Sequence, residues 1–524
     1  MGNGQREYWQ SRIGLILAVA GNAIGLGNFL RFPVQAAKNG GGAFMIPYFV
    51  ALLLLGIPLM WAEWAMGRYS GQHGHGTLPD TFHRMWKHPA AKYFGVLGVF
   101  LPLAIVIYYT YIESWTLAYS WFAATGKYAG ITTREGMGGF LKSFQGLEQG
   151  VFTSIAAAYA FFVITLGLNV WVLYRGITGG IEKLAKIAMP LLFVFAIVLV
   201  VRVLTLGTPD PAYPDRNVVN GLGFIWNPDF SKLGDVGVWL AAAGQIFFTL
   251  SLGAGMIPTY ASYMKKDQDI AVNALATSTT NEFAEVILGG TIAIPVACAF
   301  FGVAGTIAIA QGGAFDLGFQ SMPVIFGKIP LGAFFGSIWF LLLFFAGITS
   351  SVALASPAVA FLEDEMKLSK KAAVSVVGAV LFVCGNMVIF FLGFGFLDEM
   401  DFWVGTFGIA FLGLVEAIIF AWIFGMIKGW EEITRGAEMK VPRVFYFILK
   451  YVTPLYLFVL LVTWAVKEGV GVLIMKGVEK PAEIYARWGA RGLMVLLLVS
   501  ICVMTWWAFK KRASDEGRGT KDDG

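Results

Sequence analysis

Apolar stretches of about twenty residues recur along this chain, separated by short connections where glycine, proline and charge collect. Crossing bilayer hydrocarbon takes about 20 mostly apolar residues of helix, so the pattern predicts membrane spans rather than the one-sided stripes of soluble helices. Twelve segments fit, near 12–37, 42–70, 89–124, 152–174, 182–206, 237–264, 271–302, 331–363, 371–393, 398–426, 442–466 and 484–509. Composition agrees, since 57% hydrophobic residues, 14% charged residues and a mean hydropathy of +0.70 exclude an ordinary soluble globule.

Charge orients the spans. Arg6, Arg12, Arg84, Lys87, Lys92, Arg175, Lys183, Lys186, Lys265, Lys266, Lys367, Lys370, Lys371, Arg435, Arg443 and the run Lys510, Lys511, Arg512 fall on alternate connections. This predicts a multi-pass protein of the plasma (inner) membrane with both termini cytoplasmic. The net charge of +5 then reflects topology and implies no nucleic-acid partner. Arg31, Phe32 and Pro33 follow the first apolar segment where a cleavage site would need small residues, so that segment is expected to stay in the mature protein. Cys298, Cys384 and Cys502 lie in separate apolar stretches and imply neither disulfide nor zinc framework. His73, His75, His83 and His88 share one connection, which reads as an unstructured basic loop rather than a metal site.

Two apolar segments are interrupted at mid-depth, at Gly21-Asn22-Ala23-Ile24-Gly25-Leu26-Gly27-Asn28 and at Thr249-Leu250-Ser251-Leu252-Gly253-Ala254-Gly255. Glycine costs a helix interior about 1 kcal/mol against alanine, so such clusters permit unwinding. Gly21 and Gly25, four apart, equally suit close helix packing. The recurrence five helices later favours unwinding and two five-helix halves, with backbone freed around a transport site at their interface.

The first break, continued by Phe29-Leu30-Arg31-Phe32-Pro33, resembles the first-helix signature of the neurotransmitter:sodium symporters. Matching stretches continue at 108–115, 244–253, 266–269, 345–351 and 398–403. The resemblance implies the LeuT fold, an all-α membrane protein with a 5+5 inverted repeat and discontinuous helices 1 and 6. Residues 1–210 would form the first repeat with a cytoplasmic N-terminus, 211–430 the inverted second repeat, and 431–524 the last two helices with a short tail.

The same resemblance implies sodium-coupled symport of hydrophobic α-amino acids, aliphatic and bulky or aromatic, by alternating access. Two sodium ions travel with the substrate. The first ion would be held by Ala23, Asn28, Thr249 and Asn281 with the substrate carboxylate, the second by Gly21, Ile24, Ala346, Thr349 and Ser350. Without the family, Thr349 and Ser350 would read as hydroxyls bonded back to their own helix. The substrate would meet Asn22, Ala23, Gly25, Leu26, Gly27, Ile105, Tyr109, Phe248, Thr249, Ser251, Ala254, Ser350 and Leu354. Monoamine carriers of the family place an aspartate at Gly25, so glycine there favours a substrate with its own carboxylate. Ala254, Ile105 and Leu354 stand where leucine-carrying members have phenylalanine, valine and isoleucine, which predicts a larger pocket. Ser356 replaces a glutamine, a change with no account from sequence.

Arg31 and Asp401 match the outer gate, and Arg6 and Asp364 with Ser262 and Tyr263 the inner one. Glu285 occupies the serine position of chloride-dependent members, and a fixed carboxylate there predicts that chloride is not required. Glu63, Glu113 and Glu416 are intramembrane carboxylates expected to brace the broken helices, and Gly180 and Pro190 fit a hinge in the fifth helix. The expected partners are an amino acid and the bilayer, and a homodimer is compatible with the resemblance. The competing reading is a non-transporting amino-acid sensor, which the short tail disfavours. Neither an enzyme motif nor a ring of pore residues lies on the apolar helices.

Overall fold

Apart from a closed barrel, helix is the form in which a chain satisfies its own backbone within hydrocarbon. The computed structural model describes residues 8–519, and among these every regular element is helical. Arg6, expected in the inner gate, lies outside the described residues.

Among the described residues, ten helices are long and apolar enough to cross a bilayer: Gly42–Gly71, Ala91–Ala124, Ala156–Tyr174, Ile177–Leu204, Ile270–Gln311, Gly332–Asp364, Lys370–Phe390, Phe396–Thr434, Val444–Leu473 and Pro481–Asp515. The pair Arg12–Ala23 and Gly27–Lys38, bent by 48°, makes an eleventh. The expected sixth span is Val236–Thr249 followed after a break by Met256–Ala261, and neither piece is long enough to cross by itself. Ordinals below count the bent pair as the first helix and this broken segment as the sixth.

Side chains set the boundaries. Ser11 accepts from the Gly14 amide at 3.0 Å, and Asp269 from Val272 at 3.0 Å, capping the first and seventh helices. Gly302 (φ 72°) and Gly425 (φ 98°) interrupt the seventh and tenth helices near the predicted ends of those spans.

The third and eighth helices form the most extensive pairing in the molecule. Their most apolar windows are 89% buried in protein, against 28% for the twelfth helix, which places the pair at the centre and the twelfth at the lipid-facing edge. The first helix packs against the fifth, seventh and eighth.

Two expectations need correction. The histidine-rich connection is ordered: Leu78–Met85 is a helix seated on the third helix, where a Cβ at Gly98 would lie 2.3 Å from the Leu78 side chain. His88 stacks on Trp86 with ring centroids 5.0 Å apart. The twelfth helix runs on through the basic run to Gly519. Glu113 braces neither broken helix; it accepts from Asn169 at 3.2 Å, whose carbonyl accepts from Ser351 at 2.6 Å, tying together the third, fourth and eighth helices.

Candidate substrate and ion site

The first helix loses its regular backbone at Ile24 (φ −79°, ψ 86°). Two amides freed there find side-chain partners: Gly25 N–H donates to Asn28 Oδ1 at 2.9 Å, and Leu26 N–H to the Tyr109 hydroxyl at 3.2 Å. The sixth helix unwinds through positive φ at Ser251 (56°), Gly253 (64°) and Gly255 (76°). Glycine is required at two of these. A Cβ at Gly253 would stand 2.0 Å from the Ile409 carbonyl, and one at Gly255 2.2 Å from that of Gly98. The Gly253 amide donates to Glu63 Oε1 at 2.8 Å, so Glu63 does brace this break, and buried Glu416 acts on Glu63 from the tenth helix. Gly253→Ala is expected to destabilise the protein by on the order of 3 kcal/mol, seen as a lower thermal midpoint in detergent.

The two breaks face a cavity of 370 Å³, within the usual range of about 300–1,000 Å³ for small-molecule sites. All thirteen residues expected to meet substrate line it, from Asn22 and Gly25 through Tyr109 and Phe248 to Ala254 and Leu354. Its wall also includes Met256 and Phe315, which no local motif singled out. A Cβ at Gly25 would come within 2.9 Å of Ser350 Oγ and 3.1 Å of the Tyr109 hydroxyl. At Gly27 it would meet the Phe248 ring at 2.5 Å.

Beside the cavity, Asn28 Nδ2 donates to Asn281 Oδ1 at 2.8 Å and to Thr249 Oγ1 at 3.3 Å, and Asn281 Nδ2 to Thr249 Oγ1 at 3.0 Å. This brings three of the four expected ligands of the first ion together by their side chains, with Ala23 on the cavity wall. Glu285, fully buried, accepts from Asn28 at 3.1 Å, from Gln245 at 2.7 Å and from Thr249. Gln245 is a partner that sequence reasoning missed.

At the second expected ion site, Ser350 Oγ donates to the Asn22 carbonyl at 3.1 Å and that of Gly21 at 3.4 Å. Thr349 bonds back to the Phe345 and Ala346 carbonyls at 2.9 and 3.2 Å. Ser350 thus crosses to the first helix while Thr349 turns to its own. A Cβ at Gly21 would lie 3.2 Å from that of Thr349, so the two helices touch here. Ile24 contributes the break itself.

The cavity continues into a wider vestibule of 620 Å³ lined by Arg31, Gln35, Lys38, Asp398, Asp401 and Lys467. The expected outer gate pair flanks this passage without a direct ion pair: Arg31 sits 4.2 Å over the Phe248 ring, and Asp401 accepts from the Tyr108 hydroxyl at 2.7 Å. Contacts join the start of the first helix to the end of the sixth. Buried Trp9 donates its indole N–H to the Tyr260 carbonyl at 2.9 Å and its amide to that of Tyr263 at 3.4 Å. Asp364 accepts from the Gly76 amide at 2.8 Å. Gly180 is pressed onto the end of the fourth helix, where a Cβ would stand 2.1 Å from the Val172 carbonyl, while Pro190 lies within the fifth helix. Ser356 bonds back to Val352 at 2.8 Å.

Two broken helices around a cavity, set among helices long and apolar enough to cross a bilayer, define a multi-pass membrane transporter. The chain belongs to the sodium:neurotransmitter symporter family, whose model matches residues 6–133 and 132–514. It is 32% identical over 465 residues to an uncharacterised sodium-dependent transporter of Methanocaldococcus jannaschii, covering 86% of this chain and 89% of that protein. It is 25% identical to the sodium-dependent nutrient amino acid transporter 1 of Drosophila virilis, covering 87% of this chain and 77% of the relative. Among solved structures, MhsT in complex with L-phenylalanine superposes with a TM-score of 0.75 at 29% identity, covering 88% of this chain and 100% of that one.

Proposed function

We propose that this transporter carries α-amino acids with bulky apolar side chains inward together with sodium, without a chloride requirement. The observation that carries the reading is the cavity between the two breaks, where freed amides, neutral oxygens and an apolar end lie side by side. A substrate carboxylate would meet the Leu26 amide and the Tyr109 hydroxyl, at the positive end of a half-helix. Its ammonium would meet carbonyls near Ala23, Phe248 and Thr249.

Sodium would travel as co-substrate. A hard cation wants oxygen ligands, and Asn28, Thr249, Asn281 and the Ala23 carbonyl supply them beside the carboxylate. Ion and substrate then raise each other's affinity reciprocally. The second ion would tie Gly21 and Ile24 to Ala346, Thr349 and Ser350. The alternate charge pattern supports an outward-facing vestibule and cytoplasmic termini. The repeats 1–210 and 211–430 would each open on a broken helix, and a four-helix bundle would rock against a scaffold to expose the site inside.

Bulk is favoured because Ala254 leaves the far end of the cavity open between Gly253 and Gly255. The phenylalanine bound in MhsT supports the same reading. Ala254→Phe is expected to lower the apparent affinity for tryptophan at least about tenfold while leaving leucine within about threefold, checked by competition uptake. An unchanged order of preference would remove the size argument.

Proteoliposomes with an inward sodium gradient and a panel of labelled amino acids test the whole reading. Concentrative uptake that needs sodium and survives replacement of chloride by gluconate is expected. Binding without accumulation would mean a sensor instead.

A further inference from the structure

The twelfth helix is tied to the protein by ions at both ends. At its outer end Arg491 and Arg487 donate to buried Glu399 at 2.7 and 3.1 Å, beside the gate residue Asp401. At its inner end Arg512 reaches two buried carboxylates from elements far apart in the chain. Its Nη1 donates to Asp80 at 3.1 Å, on the helix of the second-to-third connection, and its Nη2 to Glu365, where the eighth helix ends. Asp80 and Glu365 are only 1% and 4% exposed. His75 lies between them, 3.2 Å from Glu365 and 3.9 Å from Asp80, and Arg84 also meets Asp80. The His75, Asp80 and Glu365 donors lie within 4.8 Å of one another, as a metal set would, but guanidinium groups already answer both carboxylates.

We propose that Arg512 is a positioning residue of the transport cycle: set between Asp80 and Glu365, it holds the eighth helix and the second-to-third connection together and so keeps the inner release route closed. This rests on the alternating-access reading above. The route is visible as a 260 Å³ cavity between Gly176 and Ile181 on the fifth helix, Tyr263 after the sixth, and Ser356 and Asp364 on the eighth. Glu365 directly follows the residues that line it. The same connection is held a second time, by the Gly76 amide on Asp364. Removing Arg512 leaves Asp80 and Glu365 buried with too little countercharge, which favours any arrangement that lets them reach water. Opening of the inner face is such an arrangement, so the population shifts toward it.

The test uses the full chain with Cys298, Cys384 and Cys502 changed to alanine and Ser356→Cys as reporter in the inner cavity. Inside-out membrane vesicles are labelled with a membrane-impermeant maleimide in sodium. Arg512→Gln and Glu365→Gln are each expected to raise the initial labelling rate about fivefold or more, with little further gain in the double variant. Arg512→Lys is expected to fall between, since an ammonium cannot span both carboxylates as a guanidinium does. Arg491→Gln, which cuts the outer tie of the same helix, is expected to leave the rate at the parent's. Parent-like labelling in a monodisperse Arg512→Gln protein would overturn the proposal, as would an equal rise in Arg491→Gln. Should Arg512→Gln not fold, Glu365→Gln carries the same two outcomes. Labelling of the parent that ignores sodium and substrate would instead overturn the alternating-access reading, and the proposal with it.

Discussion

Replacing Glu285 with serine is expected to cut sodium-driven uptake in gluconate by at least about tenfold, equivalent to about 1.4 kcal/mol, and to restore most of it when chloride is supplied. The carboxylate is fully buried and collects donors from Gln245 at 2.7 Å, Asn28 at 3.1 Å and Thr249. Two of these, Asn28 and Thr249, are also expected ligands of the first sodium ion. Serine removes the negative charge and most acceptor capacity, stranding polar groups that each cost about 1–3 kcal/mol when unpaired. A halide is a buried acceptor of the right sign for the same donors. The parent is expected to show no chloride effect. Equal uptake by the serine variant in gluconate and chloride would refute this role for Glu285.

Gly25→Asp is expected to lower apparent affinity for amino acids at least about a hundredfold, roughly 2.7 kcal/mol, while letting the corresponding decarboxylated amines compete. A Cβ at this position already comes within 2.9 Å of Ser350 Oγ and 3.1 Å of the Tyr109 hydroxyl. An aspartate would project its carboxylate where the substrate's own is expected, taking over the amide and hydroxyl donors and repelling a second anion. Scintillation-proximity competition with phenylalanine and phenethylamine checks both halves. Loss of all binding, amines included, would mean that the position tolerates no side chain.

The breaks were legible because two glycine clusters interrupt apolar runs five helices apart, and Ile105, Tyr109, Ser350 and Leu354 on other helices because their surroundings resemble the family's. The side-chain pairings between helices were not. Nothing local in Gln245 says that it reaches Glu285, or in Tyr108 that it holds Asp401. The histidine-rich connection was misread for the same reason. Its composition is that of a loop, but Asp80 is buried by a residue 432 positions away, and Leu78 by glycines on the third helix. Gly180 stood out by its spacing to Pro190; the cause, a carbonyl of the fourth helix against its α-carbon, is a contact that only packing creates. The sixth segment, by contrast, read as broken at Thr249–Gly255 from its glycines, and the helix is divided there into pieces of fourteen and six residues.

The unwound part of the sixth helix leaves one position with freedom to change. Gly253 and Gly255 are pinned by carbonyls of the tenth and third helices, whereas the residue between them contributes only a methyl group to the cavity wall. On the proposed reading, single-codon steps at Ala254 would alter the diet of the cell while the ion-coupling apparatus is inherited intact.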